Sequence, residues 1–277
     1  MALSAIQLSL VKVMIIYNLI AFVFKPIKWV LRYARFKKIL AENAIILGVQ
    51  GNLENLETLA MVFTEREYAA YFPFYEEVTI VDVGSHRGYF SIFASRHTAK
   101  NSRIWAVEPD ADNLFFLRKN LQQNQTNNVE VVAAALHTGN EIVKLYRSQS
   151  VNHSIVLGNR DTGIQSCVEV EGITLRQLMM LYGIEKVNFL KLDCEGAEYE
   201  ILFQMDKETL GRIHVVSMEF HDLKRVEYTA DRLETFFTDN GFDVLVNKFN
   251  SSHRNLNYGR MVARNRHFIK QPNLSIR

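Results

Sequence analysis

The sequence is poor in cysteine. Among its 277 residues only Cys167 and Cys194 occur, which is too few for a disulfide framework, and no CxxC pair suggests zinc or redox chemistry. Internal repeats and low-complexity tracts are also absent from the sequence. We therefore expect a reducing compartment, a fold held by its core, and no metal centre.

Acidic residues are missing from the first 40 positions, which carry seven lysines and arginines. The whole chain has 32 basic and 30 acidic residues, so 25 basic and 30 acidic residues remain after position 40, a net charge of −5. Proteins that bind long nucleic acids usually carry a basic footprint. The acidic balance therefore argues against DNA or RNA as the main substrate.

The leader, residues 1–40, lacks an uninterrupted apolar run. Residues 5–24 are mostly apolar and just long enough to span a bilayer, but Lys12 lies among them. A lysine near the centre of a span costs roughly 2.5–3.5 kcal/mol on insertion, which makes spanning marginal. The small-residue cleavage site of a signal peptide is missing too.

After Pro26 the leader predicts an amphipathic helix with a basic stripe beside an aromatic and apolar stripe. The basic stripe is Lys28, Arg32, Arg35 and Lys38, and the apolar stripe is Trp29, Tyr33, Phe36 and Leu40. This pattern is typical of helices that lie on anionic membrane surfaces. Two interpretations stay open: residues 5–40 associate with the cytoplasmic face of a membrane, or they pack on the following domain as a lid.

From residue 78 onward, short apolar runs alternate with helical patterns. The predicted strands cover residues 78–83, 103–108, 129–135, 187–193, 213–220 and 242–247, and residues 142–146 and 167–173 predict a hairpin-like excursion. Strands this apolar belong to a parallel sheet with both faces covered by helices. A last run at 258–264 follows too closely for a crossover helix and should pair antiparallel. We expect one α/β domain over 78–265, with a helical lead-in at 41–77 and a basic tail at 266–277.

The first predicted strand ends in a glycine loop, Asp82-Val83-Gly84-Ser85-His86-Arg87-Gly88. Gly84 permits a sharp turn, and Gly88 permits the following helix to approach a ligand and the sheet. The middle glycine of the dinucleotide motif is missing. Glu108 ends the second strand, 24 residues after Gly84, and a carboxylate there can accept hydrogen bonds from ribose hydroxyls. Together the loop and the acid favour an adenosine-containing cofactor over NAD.

A second polar group follows the fourth predicted strand. Lys191 and Asp193 share one face by the period of two, and Glu195 and Glu198 follow directly. Ligands of open parallel sheets bind at this carboxyl edge, where clustered carboxylates raise one another's pKa and one can act as a general base. His221 follows the next strand at the same edge and is the alternative base.

These segments resemble the FkbM-type methyltransferases. The resemblance rests on VDVGSHRGYFSIFA, AVEPDADNLFFLRKN, TLRQLM, FLKLDCEGAEYEIL and MEFH, and it covers roughly residues 65–265, with DCEGAE its most family-specific part. It implies the class I methyltransferase fold, a seven-stranded, mostly parallel sheet with an antiparallel last strand. It also implies S-adenosylmethionine as the methyl donor.

The resemblance implies roles for individual residues. On the cofactor side, Asp82, Gly84 and Gly88 would shape the methionine pocket, Ser85 and His86 would contact the cofactor, Glu108 would bind the ribose, and Ala134 and Ala135 would approach the adenine. On the acceptor side, Asp193 or His221 is the candidate base, Lys191 and Glu195 are orienting groups, and His153 and Ser154 are candidate acceptor contacts.

Because the family mostly methylates hydroxyl oxygens, O-methylation of a saccharide, glycan or related metabolite is the leading hypothesis. A protein, lipid or small-metabolite acceptor is the alternative. A nicotinamide oxidoreductase is disfavoured by the missing middle glycine and by the lack of a recognisable hydride-site motif. The intact set of Gly84, Gly88, Glu108 and Asp193 disfavours a non-catalytic binding protein.

Overall fold

The computed structural model describes residues 30–47, 55–139, 141–148, 154–155, 164–221, 225–247 and 258–269. The chain divides into two compact units, Met1–Glu65 and Arg66–Arg277. Across the described ranges, no helix combines the length and the apolar character needed to cross a membrane. The apolar run at 5–24 lies outside these ranges.

The first unit is helical where it is described. Helix α1 covers residues 30–42, helix α2 covers Asn55–Leu59, and a π-helical turn at Ala60–Thr64 continues α2. On α1, Phe36 and Ile39 are buried, whereas the basic side chains are exposed. Within the described residues, Phe36 of the predicted apolar stripe is therefore covered, and Arg32, Arg35 and Lys38 of the basic stripe are exposed.

Ten strands and six further helices make up the second unit. The strands are β1 (Thr79–Val83), β2 (Arg103–Val107), β3 (Val129–Val132), β4 (Ala135–Leu136), β5 (Ile142–Ser148), β6 (Ile164–Ile173), β7 (Phe189–Leu192), β8 (Val215–His221), β9 (Phe242–Asn247) and β10 (Tyr258–Asn265). The helices are α3 (Tyr89–His97), α4 (Ala111–Gln123), α5 (Leu175–Leu181), α6 (Glu198–Phe203), α7 (Lys207–Gly211) and α8 (Ala230–Asp239). These counts apply to the described ranges.

Seven strands form the central sheet in the order β3-β2-β1-β7-β8-β10-β9. Strand β10 is antiparallel to both of its neighbours, and the other pairs are parallel. Strands β7 and β8 are buried along their whole length. Successive side chains of a strand point to opposite faces, so both faces are covered there. This confirms the predicted sheet with its antiparallel last strand.

Strand β10 pairs antiparallel with β9, its predecessor, as predicted, and also with β8, so it lies inside the sheet. Two details differ from the sequence-based expectation. The apolar run at 129–135 does not continue as one strand, because β3 ends at Val132 and β4 leaves to pair with β6 in a small second sheet. The short helix α7 was not predicted; Asp206 begins it by accepting a hydrogen bond from the backbone N–H of Thr209. The hairpin-like excursion is confirmed as the antiparallel pair β5–β6.

The fold brings three strand ends together at one edge. Asp82 of β1 lies beside Lys191 of β7, and Leu192 of β7 lies beside Met218 of β8. The strand order reverses between β1 and β7, and ligands of open α/β sheets bind at such a switch point, outside the carboxyl ends of the strands.

Candidate active site

The loop between β1 and α3 is held against β2 and against the turn after β7. The backbone N–H groups of Gly84 and Ser85 donate to the carbonyl of Val107 at 3.0 and 3.1 Å. Gly84 has a φ of +68°, and a Cβ atom there would lie 1.8 Å from the carbonyl oxygen of Asp193. Only glycine fits both the conformation and the contact. The loop after β1 (the cofactor loop, residues 84–88) and the turn after β7 (the DCEGAE turn, residues 193–198) therefore touch directly.

Glu108 lies beneath this loop with its side chain buried. Its carboxylate accepts from the backbone N–H of His86 at 2.8 Å, from that of Asp110 at 2.9 Å and from the Asn113 amide at 3.3 Å. Burial raises its pKa to about 7, and the three donors oppose that shift. A carboxylate offers roughly four acceptor positions, so about one remains for a ribose hydroxyl. A second hydroxyl would have to replace a protein donor, and the long Asn113 bond is the weakest.

Ser85 supports the fit to a polar cofactor. Its side chain is 4% exposed, and its Oγ has no hydrogen-bond partner among the residues that the structure describes. A buried hydroxyl without a partner is costly, and the amino or carboxyl group of a bound methionine moiety would satisfy it. His86, with a φ of +50°, keeps its backbone N–H on Glu108, so loop and acid form one unit.

Three further residues expected at the cofactor, Asp82, Ala134 and Ala135, are also buried. Asp82 is fully buried, accepts a hydrogen bond from Ser91 Oγ at 2.6 Å and pairs with Lys191 at 3.3 Å. Its carboxylate therefore shapes the loop from behind. Ala134 and Ala135 are also buried, whereas Ala133 is exposed at the end of β3. An adenine approaching this edge would meet Ala133 and the backbone.

The DCEGAE turn is held by its last glutamate. Glu198 is fully buried, and its carboxylate accepts the backbone N–H groups of Cys194 at 2.9 Å and Gly196 at 2.8 Å. Glu195 adopts the left-handed conformation with a φ of +55°. Such strain in a residue other than glycine is concentrated at functional sites and persists only where the surroundings impose it, as Glu198 does here.

Lys191 ties the turn to the cofactor loop. Its ammonium group donates to the carbonyls of Val83 at 3.2 Å and Gly84 at 2.9 Å. It also lies 3.3 Å from Asp82 and 3.6 Å from Asp193. Burial alone would lower its pKa, but the two aspartates raise it, so the group stays charged. Lys191 is a positioning residue: it fixes both loops through their backbone and carboxylates.

His221 lies among carboxylates at the same edge. Its Nδ1 is 3.1 Å from Glu198, and its Nε2 is 3.4 Å from both Glu195 and Glu219. Burial alone would lower the pKa of His221, but Glu195 and Glu198 raise it well above the usual range. Burial would raise the pKa of Asp193, but Lys191 and His221 lower it, so Asp193 is ionised.

A family model for the methyltransferase FkbM domain matches residues 82–244, more than half of the chain and all of the loops described above. The chain belongs to the FkbM methyltransferase family. It is a methyltransferase that uses S-adenosylmethionine, and the nicotinamide alternative is excluded.

Relatives agree with this assignment. Methyltransferase 1 of Beauveria bassiana is 26% identical over 64% of this chain and 76% of its own length. The AMB antimetabolite synthetase AmbE of Pseudomonas aeruginosa is 24% identical over 61% of this chain, but the match covers only 10% of that protein. Among solved structures, the METTL16 MTase domain is similar with a TM-score of 0.50 and 11% identity, covering 84% of this chain and 78% of that one. At that identity the likeness shows the fold alone.

Residues outside the matched FkbM segment also reach the site. The Tyr68 hydroxyl donates to Asp193 Oδ2 at 3.1 Å, and Arg260 of β10 pairs with Glu67 and lies 3.7 Å from Glu219. Sequence reasoning missed all four of these residues as site residues. Tyr68 and Glu67 precede the first predicted strand and carry no local signal. The period of two could have found Glu219, because it shares a strand face with His221.

Of the two expected acceptor contacts, Ser154 lies within the described residues. Ser154 Oγ donates to the backbone carbonyl of Glu195 at 2.7 Å, so Ser154 touches the DCEGAE turn. His153 lies outside the described residues.

Proposed function

We propose that this FkbM methyltransferase transfers the methyl group to a hydroxyl oxygen of a saccharide, glycan or related metabolite. One observation carries the proposal: the acidic cluster adjoins the cofactor loop, with the Asp193 backbone in contact with Gly84. A hydroxyl must lose its proton as its oxygen attacks carbon, and a carboxylate beside the methyl donor can accept that proton.

Asp193 suits the role of proton acceptor better than His221. The carboxylates on either side of His221 Nε2 favour a proton on that nitrogen, which leaves no lone pair for a substrate. The Asp193 contacts to Tyr68 and Lys191 both fall on Oδ2, so within the described part of the chain Oδ1 stays available. Its side chain is 27% exposed and can meet an acceptor.

When bound, S-adenosylmethionine supplies a methyl group on a sulfonium, which is already a strong electrophile. The work left to the protein is to align the acceptor oxygen and to take up its proton. Tyr68 and Lys191 fix the Asp193 carboxylate, and Glu198 fixes the turn that carries Glu195. Ser154, which donates a hydrogen bond to that turn, is a proposed contact for the acceptor.

A neutral, hydroxyl-rich acceptor fits the charges of this site. The carboxylates would repel the phosphates of a nucleic acid, and residues 41–277 carry a net charge of −5. We therefore propose no nucleic-acid substrate. A protein, lipid or small-metabolite acceptor would present the same hydroxyl chemistry, and the identity of the methylated product decides between them.

The test uses S-adenosylmethionine labelled with carbon-13 in its methyl group and a panel of saccharide acceptors, with NMR of the product. The expected product is a methyl ether. Asp193→Asn should keep cofactor binding and slow transfer by about 10²–10⁴-fold, the usual contribution of a general base. Asp239→Asn, the same change at an exposed aspartate, should leave transfer unchanged. An N-methyl product, or full activity of Asp193→Asn, contradicts the proposal.

We further propose that residues 5–40 hold the enzyme at the cytoplasmic face of a membrane. On α1 the exposed side carries Arg32, Arg35, Lys37 and Lys38 together with the apolar side chains of Val30 and Leu31. Each basic residue near an anionic surface contributes about 1 kcal/mol. Co-sedimentation with phosphatidylserine-containing vesicles should retain the full chain and lose a variant without residues 1–40. Equal retention of both, or of neither, argues for the lid instead.

A further inference from the structure

Asp193, Glu219 and His221 form a mixed group of two carboxylates and one imidazole. One donor atom from each lies within 4.8 Å of the other two. An octahedral cation with bonds of about 2.1 Å separates neighbouring donors by about 3.0 Å and opposite donors by about 4.2 Å. A small contraction therefore converts this group into the ligands of one cation.

The histidine is oriented as a metal ligand would be. Its Nδ1 lies 3.1 Å from Glu198, which is itself fixed by two backbone N–H groups. Its Nε2 lies 3.4 Å from both Glu195 and Glu219. In metal sites one ring N–H is donated to a carboxylate, and the other nitrogen gives up its proton to the solvent when the ion binds and then faces the ion.

Glu219 supplies a second, independent observation. Its side chain is 10% exposed, and its Oε2 accepts no hydrogen bond within the described ranges. The nearest cation is Arg260 Nη2 at 3.7 Å, and Arg260 also pairs with Glu67. A buried carboxylate oxygen without a hydrogen-bond donor is costly, and a cation bound by both oxygens of the Glu219 carboxylate would offset that cost.

The charges point the same way. Four carboxylates surround His221: Asp193, Glu195, Glu198 and Glu219. The two neighbouring cations, Lys191 and Arg260, each pair with a further carboxylate outside this group. Counted over the described residues, the cluster keeps an excess of negative charge even when His221 carries a proton. Buried charges need partners, and a divalent cation would be one.

We propose that Asp193, Glu219 and His221 bind a divalent cation of the Mg²⁺ or Mn²⁺ type, with Glu198 holding the imidazole. Two carboxylates and one imidazole are ligands suited to Mn²⁺, and three protein ligands leave coordination positions for the acceptor. Sequence analysis predicted no metal, because carboxylates and one histidine spread over two strand ends form no spaced motif.

The catalytic consequence rests on the proposed O-methylation. The acceptor hydroxyl coordinates the cation through its oxygen, which lowers the pKa of the hydroxyl. The O–H bond breaks and its proton passes to the Asp193 carboxylate, a neighbouring ligand. The oxygen lone pair forms the new O–CH₃ bond as the C–S bond breaks, and S-adenosylhomocysteine leaves as the neutral thioether. By lowering the pKa of the hydroxyl, the cation allows a base as weak as a carboxylate to remove its proton.

Binding is tested on the full chain, freed of metal by chelation, by titration with Mn²⁺ alone and electron paramagnetic resonance of the free ion. One tight site per chain is expected. Glu219→Gln and His221→Gln should each weaken it by at least about tenfold, since even indirect partners of metal ligands contribute that much. Glu185→Gln, the same change at an exposed glutamate, should bind Mn²⁺ as the parent does.

Binding of S-adenosylhomocysteine reports whether each variant is folded. The residues proposed to bind it, in the Gly84 loop and at Glu108, are separate from the proposed metal ligands. The proposal is overturned if the parent binds no Mn²⁺, or if folded Glu219→Gln and His221→Gln both bind it unchanged. The Mn²⁺ titration needs no acceptor, so its outcome is separate from that of the O-methylation assay. Methyl ether formation at the full rate after chelation would remove the catalytic role of the metal and leave the proposed function standing.

Discussion

At the scale of single residues, Glu108 links cofactor affinity to pH. Its pKa of about 7 in the free protein results from burial. The ionised carboxylate accepts hydrogen bonds at both oxygens, whereas one oxygen of the protonated acid carries a proton and acts as a donor. Affinity for S-adenosylhomocysteine should therefore rise as pH increases toward about 7 and level off above it. Below that range it should fall by up to about tenfold per pH unit.

The measurement is calorimetric titration between pH 5.5 and 8.5, taken as about 1.5 units on either side of the Glu108 pKa. Glu108→Gln should bind more weakly and lose most of the pH dependence, because it cannot ionise. If the affinity of the unmodified protein for S-adenosylhomocysteine does not change over this pH range, protonation of Glu108 does not control binding.

Sequence analysis could nominate site residues where their neighbours along the chain carry the signal. Glu108, Gly84 and the DCEGAE turn are local patterns, and the fold brings them to one sheet edge. The contacts of Lys191 and Asp82 could not be predicted from local patterns, because the two residues lie on different strands, β7 and β1, that the fold brings together. Tyr68 and Arg260 come from segments beyond the recognised motifs.

At the scale of elements, the contact between two turns is the feature that joins cofactor and acceptor sites. Gly84→Ala would place a Cβ atom against the Asp193 carbonyl and force a residue with a side chain into a left-handed conformation. Gly183 is a matched control: its φ is +62°, but a Cβ atom there would meet nothing within 4 Å.

Gly183→Ala should cost about 1–2 kcal/mol of unfolding free energy, the price of the left-handed conformation alone. Gly84→Ala should cost more and should also abolish binding of S-adenosylhomocysteine. Thermal unfolding and calorimetry of the two variants provide the comparison. Equal destabilisation, with cofactor binding retained in both, would mean that the contact between the turns is unimportant.

The order of elements was readable because buried parallel strands are short, apolar and bounded by turns. Pairing was harder to predict. The run at 129–135 looks continuous in sequence, but the partner that β4 finds in β6 lies almost 40 residues away (Ala135 opposite Gly172). The position of β10 between β8 and β9 likewise depends on long-range pairing that no local pattern encodes.

At the scale of the whole molecule, residues on both sides of the FkbM segment contact side chains of the proposed site. Tyr68 precedes the matched range 82–244, and Arg260 follows it. The charge distribution separates a basic leader from an acidic remainder. A basic leader of this kind is attracted to anionic surfaces.

The central claim is that the Gly84 loop and Glu108 bind S-adenosylmethionine beside the acidic cluster. Calorimetric titration of the full chain with S-adenosylhomocysteine, and separately with NAD, tests it most directly. The account predicts one site per chain for S-adenosylhomocysteine, its loss in Glu108→Ala, and no heat of binding from NAD. Tight binding of NAD together with no response to S-adenosylhomocysteine would contradict it.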